Sequence, residues 1–413
     1  MANKMNPAAI KTRPPAAWAG TGTATALCAL GAEKVVSNEL RKLHFKVLDA
    51  ARGRVRFLSD TAGLYRALMS LRAADRLLLE CGCFPAGDFD ELFTGTSAIP
   101  WESLVPPGMG IKVAKVRSSR SVLAAETSIQ AVVHKAAAQR LCKAYNVERL
   151  PDDSGGKTSI AELRVYIDKN QVGLFLDLSG EPLFKRGYRS EGGVAPLRET
   201  IAADLLLLSG WKRKFPLYDP FCGSGTIAIE ASLYAWDMAP NLGRSFALSS
   251  LAIGDKELEA AIRAELMGRV DTERLIRISG SDSDRRSVAL AESNAWRACD
   301  LARGREPGRG IQTGEKLPFM PSFRTLPMTE ARAQAENGFI ITNPPYGKRL
   351  GDRSGAEALY RDMYTLGEHF PGWKLVVISD HPGFESHFGK KADTVRKITC
   401  GATDSFFYEF LSL

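Results

Sequence analysis

The chain has 413 residues, 45% of them hydrophobic and 25% charged, with a net charge of +8. That length allows two or three domains with cores of their own, and the composition excludes collagen-like, fibrous and wholly disordered classes. No apolar run reaches the roughly 18–20 residues that span a bilayer, and seven scattered cysteines form neither a disulfide framework nor a zinc knuckle, which fits a reducing cytoplasm and no metal.

The charge is unevenly placed. Residues 1–190 hold 27 Lys and Arg against 18 Asp and Glu, whereas residues 191–413 hold 28 against 29. A basic N-terminal half fits a polyanionic partner, nucleic acid in particular; a merely basic, solvated surface is the alternative.

The first 32 residues carry no acid and include Lys4, Lys11 and Arg13. We read residues 1–22 as a disordered tail, with a basic transit segment as the alternative. Residues 23–80 form a small α/β unit: strands at 25–30, 46–48 and 54–57, a helix at 32–43 spaced by Val35, Val36, Leu40 and Leu43, a helix at 60–69 and a strand at 75–83. Residues 81–180 form a second unit. Its strand at 110–117 alternates apolar and basic residues, with Lys112, Lys115 and Arg117 on the exposed face. A helix spans 121–141, and strands at 161–168 and 171–178 form a hairpin around Lys169-Asn170. A connector follows at 181–195, where Lys185, Arg186 and Arg189 cluster. These two basic groups are candidate phosphate contacts.

From residue 196 to 413 the pattern becomes strand, helix, strand, helix, which predicts a parallel sheet covered on both faces. A buried helix is expected at 201–209, carrying Asp204. Strands are expected at 215–218, 275–280, 338–342, 373–379, 394–399 and 405–411, with one more hidden in 312–327. The last two close the sheet as a hairpin.

Two segments carry chemistry. The strand at 215–218 runs into Asp219-Pro220-Phe221-Cys222-Gly223-Ser224-Gly225 and then a helix. Glycines at such a turn let bare backbone approach a ligand. Asp219 suits a cationic ligand and would repel a pyrophosphate. Asp282, at the end of the next strand, can accept both hydroxyls of a ribose, while Asp284 caps the following helix. The second segment is Asn343-Pro344-Pro345-Tyr346, after a buried strand. Two prolines stiffen it and leave its carbonyls free. The Asn343 side-chain oxygen and the Pro344 carbonyl can accept the two hydrogens of an exocyclic amine, and Tyr346 can stack on the extruded base. Together these read as methyl transfer from S-adenosylmethionine to an amino nitrogen, with no strong base and no nucleophilic cysteine. The five histidines are dispersed; His381, after Asp380 at a strand end, reads as a surface turn.

Longer segments sharpen this. Ile167-Asp-Lys-Asn-Gln-Val-Gly-Leu-Phe-Leu-Asp-Leu-Ser-Gly180, Leu183-Phe-Lys-Arg-Gly-Tyr-Arg189, Ala195-Pro-Leu-Arg-Glu-Thr-Ile-Ala-Ala203, Ala239-Pro-Asn-Leu-Gly-Arg-Ser-Phe246 and Lys348-Arg-Leu-Gly351 resemble the bacterial THUMP-domain guanine-N2 methyltransferases of 23S ribosomal RNA, over about residues 23–413. The resemblance implies an α/β fold: a ferredoxin-like piece, a THUMP RNA-binding domain and a C-terminal Rossmann-like class I methyltransferase with a seven-stranded mixed sheet. It implies an enzyme acting on large-subunit ribosomal RNA, which we expect to be cytoplasmic and monomeric. Asp219, Phe221, Gly223, Gly225 and Asp282 would contact S-adenosylmethionine, with Thr200 near its methionine end, and Asn343 through Tyr346 would hold the guanine. Residues 301–337 depart from the family by their length and their Gly, Pro and Arg content, so the contact to the adenine ring is not given. A tRNA guanine-N2 methyltransferase and a DNA adenine-N6 methyltransferase share the same amine chemistry.

Overall fold

The computed structural model describes residues 20–152, 159–189, 197–308, 320–345, 353–400 and 403–413. Most of the expected N-terminal tail, the segment 190–196, Tyr346 and the motif 348–351 lie outside the described residues.

The N-terminal half begins with β1 (Thr21–Cys28), α1 (Glu33–Lys42), β2 (Lys46–Ala51), β3 (Arg54–Asp60), α2 (Thr61–Ser70) and β4 (Ala74–Pro85). It continues with α3 (Phe89–Ala98), β5 (Gly110–Ser119), α4 (Glu126–Tyr145), β6 (Ile160–Asp168) and β7 (Gln171–Asp177). The seven strands form one sheet in the order β2-β3-β1-β4-β7-β6-β5. β4 is the reason. It pairs with β1 over its first half and with β7 over its second, so the two units expected at 23–80 and 81–180 share a strand that runs unbroken through position 80.

Local chemistry accounts for the element ends. Asp60 and Asp88 cap α2 and α3 by accepting the N–H of Gly63 and Glu91, the usual role of a short acidic side chain at that position. The β6–β7 turn places Lys169 at φ 52° and Asn170 at φ 59°, the left-handed pair that a tight hairpin requires. The helix expected from 121 starts instead at Glu126. Ser121 and Val122 are bound to the hairpin turn, through Asn170 N–H to Ser121 Oγ and Val122 N–H to Asn170 Oδ1.

The C-terminal half runs α5 (Glu199–Leu208), β8 (Leu217–Asp219), α6 (Thr226–Ala235), α7 (Lys256–Met267), β9 (Ile278–Asp282), α8 (Arg285–Ala302), β10 (Ser322–Thr325), β11 (Phe339–Thr342), α9 (Arg353–Asp362), α10 (Leu366–His369), β12 (Lys374–Ser379), α11 (Phe384–Phe388), β13 (Thr394–Cys400) and β14 (Thr403–Phe410). Its sheet has the order β10-β9-β8-β11-β12-β14-β13. β8 to β12 are parallel, and β14 is antiparallel to both neighbours. This is the Rossmann-like class I methyltransferase arrangement that the resemblance implied. The order reverses between β8 and β11, and the crevice beyond the strand ends at such a reversal is where open α/β sheets bind ligands. No helix among the described residues is long and apolar enough to cross a membrane.

The halves are fastened together through polar groups. Arg186 is 1% exposed. It donates to the carbonyls of Leu183 and Arg72 and to Asn241 Oδ1, and lies 3.5 Å from Glu230. Asn241 Nδ2 donates to Leu68 O at 3.0 Å, Arg66 grips Glu265 with two bonds, and Leu30 exchanges backbone bonds with Thr399. Asp204 of α5 is fully buried close to this seam, and burial holds its carboxyl well above the usual carboxylate range.

Candidate active site

β8 delivers Asp219 to the strand-order reversal. The carboxylate is 1% exposed; its Oδ1 accepts Thr342 Oγ1 at 2.6 Å and Phe221 N–H at 3.1 Å. One side chain thus ties β8 to β11 and fixes the first turn of the loop. Burial, with a smaller contribution from the charge of Asp282, pushes the Asp219 carboxyl up to about 7.

The loop after it is built for close approach. Gly223 and Gly225 have φ of 50° and 81°. A Cβ on Gly225 would lie 3.0 Å from both Ala291 Cβ and Phe323 Cζ, whereas a Cβ on Gly223 would meet nothing within 4 Å. Gly225 is therefore demanded by packing and by backbone, and Gly223 faces open space where a ligand can approach. Gly225 also precedes α6, whose first N–H groups have no partner within the helix. Asn294 Nδ2 holds the loop by donating to Ser224 O at 3.1 Å.

β9 brings Asp282 alongside. Its Oδ2 accepts Gly223 N–H at 3.0 Å and its Oδ1 accepts Asp284 N–H at 2.9 Å. Each oxygen keeps a second lone pair, enough for a vicinal diol. Asp284 caps α8 through the N–H groups of Arg286 and Ser287, as expected. β10 lies in the interval where one further strand was expected. Leu326 N–H, just past its end, donates to Asp282 O at 3.0 Å. Residues following β10 therefore flank the Asp282 end of the crevice.

β11 is buried throughout and ends at Thr342; Asn343, 7% exposed, follows it, then buried Pro344 and half-buried Pro345. The strand order puts Asn343 one strand from Asp219 and two from Asp282. Phe221 is half-buried on the same loop as the glycines.

The remaining expectations divide. Thr200 is 1% exposed, and its hydroxyl donates to Asp75 Oδ1 of β4 at 2.7 Å. Lys112 and Arg117 are exposed, with Glu162 and Glu126 at 3.0 and 2.9 Å. Lys115 is half-buried, and burial, with Arg117 and Arg164 nearby, lowers its ammonium below the usual lysine range. Lys185 is exposed and paired with Glu181. Arg186 and Arg189 correct the expectation of phosphate contact. Arg186 is enclosed at the seam between the halves, and Arg189 is spent on Glu199 at 3.1 Å, Leu197 O and Thr226 Oγ1. The connector folds inward because its guanidinium groups satisfy carbonyls and carboxylates that the docking of the two halves removes from water.

Two features of the site escaped the sequence. Thr342 reads as one more buried strand residue, and only the β8–β11 pairing makes it the partner of Asp219. The group Glu357, His381 and His387 comes from three distant positions; His381 Nε2 and His387 Nε2 lie 3.4 and 3.6 Å from Glu357 Oε1. His381 is buried, not a surface turn.

The residues fit S-adenosylmethionine on chemical grounds. Two carboxylates converge on a glycine loop, and burial pushes the carboxyl of Asp219 up to about 7; a sulfonium or ammonium beside it would favour its charged form. Comparisons agree. The RMKL-like methyltransferase domain (UPF0020) matches residues 186–303 and 315–405, and the RlmL ferredoxin-like domain matches residues 23–78. YpsC of Bacillus subtilis (strain 168), which carries the name of an RNA methyltransferase, is 34% identical over 94% of this chain and 96% of its own. The crystal structure of SMU.472, a methyltransferase by its description and complexed with SAH, is 33% identical with a TM-score of 0.83, covering 95% of this chain and 99% of that one. A Listeria monocytogenes protein described as an N6-adenine-specific DNA methylase is 33% identical with a TM-score of 0.81, covering 95% and 97%. The chain belongs to the RMKL-like methyltransferase family and is an S-adenosylmethionine-dependent methyltransferase.

Proposed function

We propose that the protein methylates the N2 amine of a guanine in 23S ribosomal RNA, with Asn343 and the Pro344 carbonyl holding the amine. The observation that carries this is the line of Asp282, Asp219 and Asn343 on neighbouring strand ends. That line supports a cationic cofactor lying beside a rigid acceptor pair. S-adenosylmethionine supplies an electrophilic methyl group on its sulfonium. Asp282 holds the ribose and Asp219 faces the cationic end, while Gly223 and Gly225 admit the ligand to the backbone and Phe221 lines the loop. Thr200, with its hydroxyl already turned to Asp75, supports the methionine end only through the position of α5. Accepting both N–H hydrogens draws the amine towards tetrahedral geometry and aims its lone pair at the methyl group, so catalysis is mainly positioning. Tyr346 provides the stacking surface.

RNA as substrate draws on three supports: the basic N-terminal half, the exposed cations of β5 and the name of YpsC. The second α+β unit is then the THUMP-type RNA-binding domain, and the Lys112–Arg117 face meets phosphates. The name of the Listeria relative points instead to adenine in DNA, which the same acceptor pair could hold.

Mass spectrometry of rRNA, tRNA and DNA nucleosides from a strain lacking the gene decides among them. The expected result is loss of one N2-methylguanosine from 23S rRNA, restored by the wild-type gene and not by Asn343→Ala. The Asn343→Ala protein should lose at least about a hundredfold in turnover and keep its affinity for S-adenosylmethionine. Loss of a tRNA or DNA methyl group instead would replace the reading.

A further inference from the structure

An acceptor pair for an exocyclic amine does not identify the base. Adenine, cytosine and guanine all present such an amine. They differ in what flanks it: adenine and cytosine present a bare acceptor nitrogen beside the amine, whereas guanine's amine lies between the N1–H donor and the bare N3. A site for guanine therefore needs a second acceptor next to the first, and a carboxylate accepts without being able to donate.

Resting on the guanine reading above, we infer that Asp380 is that acceptor: its carboxylate takes the N1–H of the target guanine while Asn343 and Pro344 hold the N2 amine. β11 and β12 are parallel neighbours, with Thr342 opposite Val377. Alternation along each strand sends every second side chain to one face. Phe339 and Ile341 of β11, and Val376 and Ile378 of β12, lie in the larger core cluster; Ile340, Leu375 and Val377 lie in the smaller one. Continuing the alternation, Asn343 and Asp380 leave adjacent strands on the same face. Continued past its last pair, the same register sets them diagonally across the two strands, about 4.8 Å apart sideways and two residues, or about 6.6 Å, along, which leaves room for a base edge between two short side chains.

The backbone on either side of Asp380 is held still. Ser379 is fully buried, with its Oγ 3.1 Å from Tyr360 Oη and accepting His381 N–H at 3.1 Å. His381 Nδ1 accepts Gly383 N–H at 3.1 Å, and its Nε2 faces Glu357. Asp380 itself is half-buried. A reading group held this way meets its substrate without further ordering, which is what selectivity requires.

The Glu357–His381–His387 group has the composition of a metal site, and its hydrogen bonds argue against one. A backbone N–H can only donate, so His381 Nδ1 is the lone-pair nitrogen and Nε2 carries the proton. Arg361 Nη1, 3.5 Å from His387 Nδ1, sets the second ring the same way. A metal-ligating histidine shows the opposite, donating from its far nitrogen. The group is a clamp on the loop that carries Asp380.

The test uses a synthetic RNA spanning the mapped nucleotide, carrying either guanine or 2-aminopurine there. 2-Aminopurine keeps the amine and lacks both the N1 hydrogen and the O6 oxygen, so the comparison with Asp380→Ala isolates the first. Wild-type enzyme should prefer guanine by about a hundredfold in kcat/KM, the worth of a good hydrogen bond to a charged group. In Asp380→Ala that preference should shrink to about tenfold or less, with S-adenosylmethionine affinity unchanged. Asp380→Asn, whose amide oxygen can still accept, should regain part of it. Equal rates on the two RNAs with wild-type enzyme would overturn the inference without any variant, as would an undiminished preference in Asp380→Ala. A wild-type product other than N2-methylguanosine would instead overturn the guanine reading itself.

Discussion

The connector at 181–189 and strand β5 each carry three cations in a short stretch, and the fold treats them in opposite ways. Arg186 and Arg189 of the connector turn inward and meet carbonyls and carboxylates at the seam between the halves. Lys112 and Arg117 of β5 stay in solvent, each beside one acid. The difference comes from what surrounds the side chains. A strand at a sheet edge offers its outer face only water, whereas a connector laid between two docking bodies finds unsatisfied oxygens on both. A run of basic residues is thus a nucleic-acid signal only once its face is known to be exposed.

The largest effect should come from the buried member. Arg186→Met leaves Glu230 charged and enclosed, and breaking a buried pair costs about 3–5 kcal/mol. Chemical denaturation should show that loss, and the double variant Arg186→Met/Glu230→Gln should recover part of it. Full stability in Arg186→Met, with weakened RNA binding, would return Arg186 to the phosphate contacts.

Asp219 sharpens the contrast, since its burial disfavours the charged form. Its carboxyl, normally near 3.8, is pushed up to about 7 in the folded protein. The folded state therefore holds a proton that the unfolded state releases. This group's contribution to stability falls as the pH rises from about 4 through 7, and Asp219→Asn should abolish that slope. A cationic ligand favours the ionised form, so S-adenosylmethionine affinity should weaken as the pH drops below 7, by up to about tenfold per unit. In Asp219→Asn, calorimetry should find binding about 10–100-fold weaker at pH 8 and flat between about pH 5.5 and 8. A pH dependence that survives the substitution would assign it to another group.

How much of this was legible in the sequence follows the range of the interactions involved. The glycine loop, Asp282 and Asn343 were readable because each sits where a strand ends, and strands announce themselves by alternation and by the turn residues behind them. α3 was missed although Asp88-x-x-Glu91 spells a capping signal, because its second half, Thr94-Gly95-Thr96-Ser97, is made of weak helix formers. α7, capped by Asp255, was missed although Leu258, Ile262 and Leu266 recur at helical spacing. β9 was expected from 275, yet Leu275 is 77% exposed and the strand starts at Ile278, since pairing with β8 begins only there. The burial of Arg186, the bond from Thr342 to Asp219 and the clamp around His381 all join residues far apart in the chain or from different elements. No local pattern encodes them.

The smallest expected effect tests the exposed half of the comparison. Exposed ion pairs are worth little, so Lys112 and Arg117 can exchange Glu162 and Glu126 for phosphates at slight cost. Lys115 gains more, because its partial burial and its neighbours Arg117 and Arg164 all disfavour the ammonium, and a phosphate would reverse that. Lys112→Ala/Lys115→Ala/Arg117→Ala should leave the denaturation midpoint nearly unchanged. Its RNA affinity should fall, and the slope of log K against log salt should become shallower by about 2–3, since three phosphate contacts release roughly 0.7–0.9 counterions each. An unchanged slope would mean that the exposed face of β5 is only solvated, and that exposure, although necessary, does not by itself turn a basic strand into an RNA contact.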